Sequence, residues 1–372
     1  MSQSHHFIGI MMSAHLEIPA SGATADVRVI DTKTLLLIDP ALFVQPQTNT
    51  RIRPFHAPIY CFLVSRGGRH VLFDLGVRPD WEKYAPRVVS LIKATTQVTT
   101  TGVDIAHVLD HDASGLRVRS RDIEAVIWSH NHFDHIGNPS VFPPSTDLVV
   151  GPGVKDASWP GWPRVPNASV LDSDAAGRTV REITFSGEGA LRIGRFAAFD
   201  YFGDGSFYLL DAPGHAVGHM CGLARVQSSP TPAFVLMGAD ACHHPGVLRP
   251  SPHLPLPSPA TAGWRPAPCP GEMLHEFELG DTVRQQPFLT LPRNMLFPDH
   301  DAALDTVCKL QELDECEDVF IIIAHDVSIR DSLSFFPETI NDWRERGIKK
   351  ETRWKFCADF EVGNEPSEGL SK

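Results

Sequence analysis

Residues 123–139 read IEAVIWSHNHFDHIGNP. The first six form a short β-rich run that delivers the chain directly into Ser129 and His130. Three histidines and one aspartate then crowd together as His130, His132, Asp134 and His135. Alternate residues of an extended segment share a face, so His130, His132 and Asp134 are expected to point one way. His135 stands beside them, able to serve a second ion. Neutral imidazole and carboxylate are the donors that zinc and similar metals take. A lone histidine is more often a satisfied core or surface residue. Here an apolar strand leads in and IGNPSVF follows, so the cluster sits at a strand end against the core, and a metal is the simplest reason for it.

The complements lie downstream, in order and at strand ends. DAPGHAVGH (211–219) places His215 in a turn after a strand at 206–210. LMGADAC (236–242) places Asp240 at the end of the apolar run 234–237, and IIIAHD (321–326) places His325 after the run 319–323. Together these residues offer seven oxygen and nitrogen ligands, which suits two ions sharing a bridging carboxylate.

HxHxDH, a histidine in a PGH turn, an aspartate after an apolar strand and a late histidine resemble the motif set of the metallo-β-lactamase superfamily. The resemblance runs from about residue 27 to residue 330. It implies an α+β fold, an αββα four-layer sandwich, with a binuclear site at one edge of its two sheets and two Zn²⁺ per chain. By position, His130, His132 and His215 would bind the first ion. Asp134, His135 and His325 would bind the second, and Asp240 would bridge them. FDLG (73–76) resembles the superfamily's early Asp-x-Gly element, in which Asp74 would support a ligand from behind; a plain turn residue is the competing reading. His219 follows the ligand histidine of its turn and is expected to be supporting or structural.

Two close cations generate a nucleophile from water at neutral pH, and hydroxide held between them would attack a carbonyl carbon. One metal would polarise the carbonyl oxygen, and Asp134 would act as the proton shuttle. No GxSxG offers a serine nucleophile. The PGHxxGH turn looks most like the lactonase branch, where a tyrosine three residues after the bridging aspartate often assists the carbonyl oxygen. His243 holds that position here, followed by His244. His243 either donates a hydrogen bond to the oxyanion or lines the mouth. DACHH and its proline-rich sequel resemble fungal γ-lactamases that open the cyclic carbamate of benzoxazolinone-type plant defence compounds, a xenobiotic detoxification. The expected activity is therefore opening of a small lactam or lactone ring. The alternatives are a thioesterase, of the glyoxalase II or polyketide carrier-protein type, and an iron persulfide dioxygenase of the same fold. Trp128, Trp159, Trp162 and Trp264 are available to line an aromatic pocket, though each alone is more often a packing residue.

The rest of the chain bounds these readings. Its 372 residues carry 42% apolar and 21% charged side chains, an ordinary globular composition. A formal charge of −12 argues against nucleic acid or an anionic membrane as partner, and a small-molecule carbonyl substrate is expected; a homodimer is left open. Seven scattered cysteines without CxxC look like reduced thiols, and no signal or membrane-spanning run is seen, so a cytoplasmic location is expected. The expected organisation is an N-terminal extension (1–26), a metallo-β-lactamase domain (27–336) and a C-terminal helix and tail (337–372). Within the domain, 245–298 is a proline-rich insertion, either a surface excursion or a loop covering the pocket. Strands are expected at 27–37, 60–75 as a hairpin through Gly67-Gly68, 147–150 and 180–185. Helices are expected at 79–94, after Asp299 with Ala303, Val307, Leu310 and Leu313 on one face, and at 337–346.

Overall fold

The apolar runs of the sequence become strands covered on both faces. In a computed structural model, which describes residues 17–46, 51–187, 190–256 and 285–361, two six-stranded sheets lie face to face. The first holds β1 (Asp26–Asp31), β2 (Tyr60–Arg66), β3 (Arg69–Phe73), β4 (Ala125–Ile127), β5 (Asp147–Val150) and β6 (Val180–Glu182), side by side in chain order. Its first two pairings are antiparallel and the others parallel. The second holds β7 (Leu191–Ile193), β8 (Phe196–Asp200), β9 (Phe207–Asp211), β10 (Met220–Gln227), β11 (Ala233–Ala239) and β12 (Val319–Ile323). It is antiparallel as far as β11, and β12 runs parallel to β11.

The period of two in a strand sorts side chains into layers. Phe207 and Leu209 join the core between the sheets, with Phe62, Phe73, Met237 and Ile322. Tyr208 and Leu210 instead join an outer core, with Leu236, Ile321 and Ile323, under the helix His300–Glu315. The far side of the first sheet carries a third core, where Leu63, Leu72 and Val126 meet Val88 and Ile92 of the helix Pro86–Thr95. This is the αββα sandwich. It explains why β11 and β12 read as unbroken apolar runs, since neither face meets water.

Several local expectations hold. Gly67 and Gly68, both at positive φ, turn the β2–β3 hairpin. The Asp299 side chain accepts from the Ala302 N–H, and Ala303, Val307, Leu310 and Leu313 are buried on the helix it caps. Others change. The strand expected at 27–37 breaks at Lys33 (φ 66°), and Leu35–Ile38 joins a separate three-stranded sheet with Phe55–Ala57 and Thr96–Thr100. The helix expected at 79–94 begins only at Pro86, where a missing N–H costs nothing, after a single turn at Trp81–Lys83. The strand expected at 180–185 ends at Glu182. Residues 341–347 form turns, and the C-terminal helix is Ile348–Thr352, after Gly347 at φ 69°. Trp343 in those turns and Ile340 just before them nevertheless plug the central core.

No helix among the described residues is long and apolar enough to cross a membrane. None of the six described cysteines forms a disulfide, and Cys269 lies outside the described residues.

Candidate metal centre

Every donor in the cluster follows the end of a strand, on a loop or a short helical turn at one edge of the two sheets. β4 ends at Ile127, and Trp128 and Ser129 lead to His130. The extended alternation stops there: His132 caps a helical turn, Phe133–Ile136, that brings Asp134 and His135 inward together. That turn is stitched to the loop after β3, where Leu75 N–H donates to His135 O (2.8 Å) and Gly137 N–H to Gly76 O (2.9 Å). β9 leads into the turn carrying His215. Gly214 there has φ 122°, and a Cβ would overlap the backbone of Ala303, so only glycine lets the helix His300–Glu315 seat against this turn. β11 ends with a register shift and with Ala239 in the left-handed region (φ 43°), a rare conformation that turns Asp240 into the site. His325 follows β12, one strand over.

The donors form two groups. His130, His132, His215 and Asp240 place one ligand atom each within 4.8 Å of one another, and so do Asp134, His135, Asp240 and His325. Asp240 belongs to both and divides its oxygens. Oδ2 lies 3.7 Å from His130 Nε2 and 3.5 Å from His215 Nε2. Oδ1 lies 3.1 Å from His135 Nε2 and 3.2 Å from His325 Nε2. His130, His135, His215, His325 and Asp240 are all at most 2% exposed.

The arrangement fits divalent cations on three counts. His130 Nε2, His135 Nε2 and Asp240 Oδ1 are buried with no hydrogen-bond partner, although donors and acceptors crowd around them. Such atoms are costly unless something else satisfies them. Asp74, Asp134 and Asp240 are buried carboxylates that no arginine or lysine pairs among the described residues; every ion-pair partner found for them is an imidazole. The ring tautomers are set from behind. His135 Nδ1 lies 2.7 Å from Asp74 Oδ2, and His325 Nδ1 lies 2.9 Å from Pro58 O. Each Nδ1 therefore carries the proton, which frees Nε2 to bind a metal.

The same charges move the ionisation equilibria. Burial lowers His130 and His215 well below the usual imidazole range, and the neighbouring rings push the same way. For His135 burial also acts downward, but Asp240, Asp74 and Asp134 override it and hold the ring well above that range. His325 is pushed up to about 10 against burial, by Asp240 and Asp134. The pocket thus attracts protons where a dication would serve instead.

Supporting residues are in place. Asp74 sits at φ 64° after β3, accepts the Ser129 N–H through Oδ1 (2.7 Å), and is 1% exposed. His219 donates from Nδ1 to Ala212 O (2.9 Å), and its Nε2 accepts the backbone N–H of Asp240 (3.2 Å). Both ring nitrogens are spent, and burial lowers its pKa to about 3. His219 therefore braces Asp240 as a neutral ring. Tyr84, which the sequence did not single out, donates to Phe133 O (2.6 Å) and accepts from Arg78 N–H (3.0 Å), fastening the metal turn from outside.

The cluster forms the floor of a cavity of about 160 Å³. His243 lies on its wall, buried, with Nε2 3.1 Å from Asp240 Oδ2 but neither nitrogen in a hydrogen bond. Its ring packs on Phe43 and lies parallel to His325. His244 faces the other way: Nδ1 accepts from Gly246 N–H, and Nε2 lies 3.2 Å from Asp359. Asn294, Met295 and Leu296, late in the stretch 245–298, also line the cavity, while residues 257–284 of that stretch lie outside the described residues. Of the four tryptophans available to line an aromatic pocket, none lines this cavity among the described residues, and packing is the role the structure gives the three that it describes. Trp128 is fully buried and stacks on Trp159, Trp162 packs in the same third core, and Trp264 lies outside the described residues.

A family profile described as "Metallo-beta-lactamase superfamily" matches residues 56–227. The metallo-hydrolase mfmC of Annulohypoxylon moriforme is 61% identical over 93% of this chain and 90% of its own. A γ-lactamase, FDB1 of Fusarium pseudograminearum, is 40% identical over 92% of this chain and 84% of its own. The cytochrome P450 monooxygenase mpaDE of Penicillium roqueforti is 52% identical over 93% of this chain, which spans only 38% of that longer protein. Among solved structures, an N-acyl homoserine lactone hydrolase with N-hexanoyl-L-homoserine at its metal centre superposes with a TM-score of 0.53. That match covers 86% of this chain and 100% of the other at 17% identity, a likeness of fold.

Proposed function

The chain belongs to the metallo-β-lactamase superfamily, and from that premise we propose that it holds two zinc ions and opens a small cyclic amide or ester. The observation that carries this reading is the pair of donor groups sharing Asp240 at the floor of a cavity. His130, His132, His215 and Asp240 Oδ2 would hold one ion; Asp134, His135, His325 and Asp240 Oδ1 would hold the other. When bound, the ions supply Lewis acidity toward a carbonyl and a nucleophile from water at neutral pH.

The protein supplies position and proton transfer. Asp134 lines the cavity beside His325, its Oδ2 3.4 Å from Nε2. Its carboxylate takes a proton from the attacking water and returns it to the leaving nitrogen or oxygen. His243, buried with both nitrogens free of hydrogen bonds, donates to the substrate carbonyl oxygen as negative charge develops there. Phe43 packs against the ring, with centroids 4.6 Å apart.

Similarity to a γ-lactamase supports a cyclic amide, and a flat, neutral benzoxazolinone-type carbamate is the specific substrate proposed. The lack of any disulfide among the described cysteines suits action in the cytoplasm. Elemental analysis is expected to give about two zinc per chain. Steady-state assays should show ring opening of benzoxazolinone or a γ-lactone and no turnover of S-lactoylglutathione, with Asp134→Asn abolishing activity. Turnover of the thioester alone, or iron in place of zinc, would overturn the reading.

A further inference from the structure

Given that ring-opening reading, the cavity constrains which rings enter. We infer that the site takes an uncharged ring and accommodates an apolar arm on it, the arm leaving the metal centre past Leu91 and Met295.

The cavity wall is assembled from three separated parts of the chain. Leu36 and Ile38 come from the three-stranded sheet, Leu91 from the helix Pro86–Thr95, and Met295 and Leu296 from the insertion; Phe43 completes it. The polar side chains on this wall are already committed. Thr95 Oγ1 donates to Leu91 O (2.8 Å) and lies 3.3 Å from Thr96 Oγ1. Asn294 Nδ2 donates to Leu42 O (2.8 Å), while its Oδ1 accepts Leu296 N–H (2.9 Å). Among the described lining residues there is no lysine, arginine or glutamate, and the only carboxylates are the metal-side Asp134 and Asp240. A charge on the arm would therefore lose its water and meet no partner, a large penalty in an apolar enclosure. The chain's net charge of −12 adds repulsion for an anionic arm.

The path of the arm follows from two side chains in water. Leu91 is 41% and Met295 85% exposed, and both also line this cavity. One stands on the helix Pro86–Thr95 and the other on a loop that Asn294 clasps to Leu42. An exposed apolar rim continuous with an apolar wall gains from covering by an apolar chain, and nothing on it selects a polar one.

The test uses ketones, which bind as neutral five-membered rings but cannot be hydrolysed. Isothermal titration of the zinc-loaded full chain would compare cyclopentanone with 2-alkylcyclopentanones of increasing length. Affinity should rise about fourfold per buried methylene and level off once the arm clears the rim. A hexyl arm ending in carboxylate or ammonium should bind at least about tenfold more weakly than one ending in methyl. Leu91→Glu and Met295→Glu, at exposed positions that tolerate charge, should weaken the hexyl ketone about tenfold relative to cyclopentanone. A flat length series, equal affinity for charged and methyl ends, or a length dependence unchanged in both variants would overturn the inference. If the ketones behave as expected while no lactam or lactone is opened, the arm site stands and the ring-opening reading falls. If rings are opened but length has no effect, the reverse holds.

Discussion

Replacing Asp74 with asparagine asks whether the residue behind His135 governs the second ion. The exchange is nearly isosteric, and asparagine accepts the left-handed backbone at this position (φ 64°) as readily as aspartate. What changes is the count of acceptors. Asp74 takes the Ser129 N–H through one oxygen and the His135 ring through the other, each at 2.7 Å. Asparagine has one oxygen and one NH₂. If the oxygen keeps Ser129, the NH₂ faces His135 Nδ1 and drives the ring proton to Nε2, the atom needed for the metal. If the oxygen turns to His135, the buried Ser129 N–H is orphaned. Either way one charge-assisted hydrogen bond is lost, about 1.5–3 kcal/mol, or roughly 10- to 150-fold in affinity. Zinc titration against a competing chelator should show the second binding step weakened by that factor and the first changed less than about threefold. Thermal melts of the metal-free protein would separate this from a folding defect. Two unchanged binding steps would refute the idea that Asp74 sets the His135 tautomer.

Three further perturbations test the scaffold. Gly214→Ala puts a Cβ into the backbone of Ala303 at φ 122°, which should cost roughly 2–5 kcal/mol in urea melts; a loss under about 0.5 kcal/mol would contradict the close approach. Leu310→Ala removes a fully buried side chain of the helix His300–Glu315 and should cost about 2–5 kcal/mol by the same measurement, leaving zinc stoichiometry unchanged. Asp174 is a pH probe away from the metals: burial pushes its carboxyl up to about 7. Its folded-state value is raised, so between about pH 4 and 7 the native state holds a proton that the unfolded chain has lost, and stability falls as pH rises. At pH 8 that amounts to about 4 kcal/mol. Asp174→Asn, which can still accept the Leu171 N–H, should be the more stable protein at pH 8 and match the parent near pH 4; a gap independent of pH would exclude this account.

The candidate donor cluster was legible in the sequence because its residues are chemically distinctive and sit at strand ends that can be read locally. His130, His215, Asp240 and His325 each follow an apolar run, and the runs are visible because both faces of β11 and β12 are buried. The geometry between the donors was less legible. Strand alternation predicts that Asp134 continues the face of His130 and His132, yet the chain coils at Phe133 because Leu75 and Gly76 bond to it from another loop. The cavity wall was unreadable for the same reason. Leu36, Leu91 and Met295 are far apart in sequence, and none of them stands in a pattern that differs from ordinary packing. Tryptophan behaved as the packing residue it more often is: Trp128 has its side chain in the third core, with no hydrogen bond to Nε1.

Asp240 and His325 stand at the ends of neighbouring parallel strands, where Ala324 N–H donates to Ala239 O at 3.0 Å. Parallel neighbours cannot be joined by a tight turn and must be bridged by a long crossover. Here that crossover contains the proline-rich segment and the helix His300–Glu315. The distance between the two residues is fixed by strand register, whatever the length or composition of the polypeptide between them. Exchanging the stretch that holds Asn294 and Met295 for one from a relative is therefore a way to change what the protein accepts without retuning its chemistry. A lineage diversifying its substrates, or an engineer doing the same, has a natural splice site on either side.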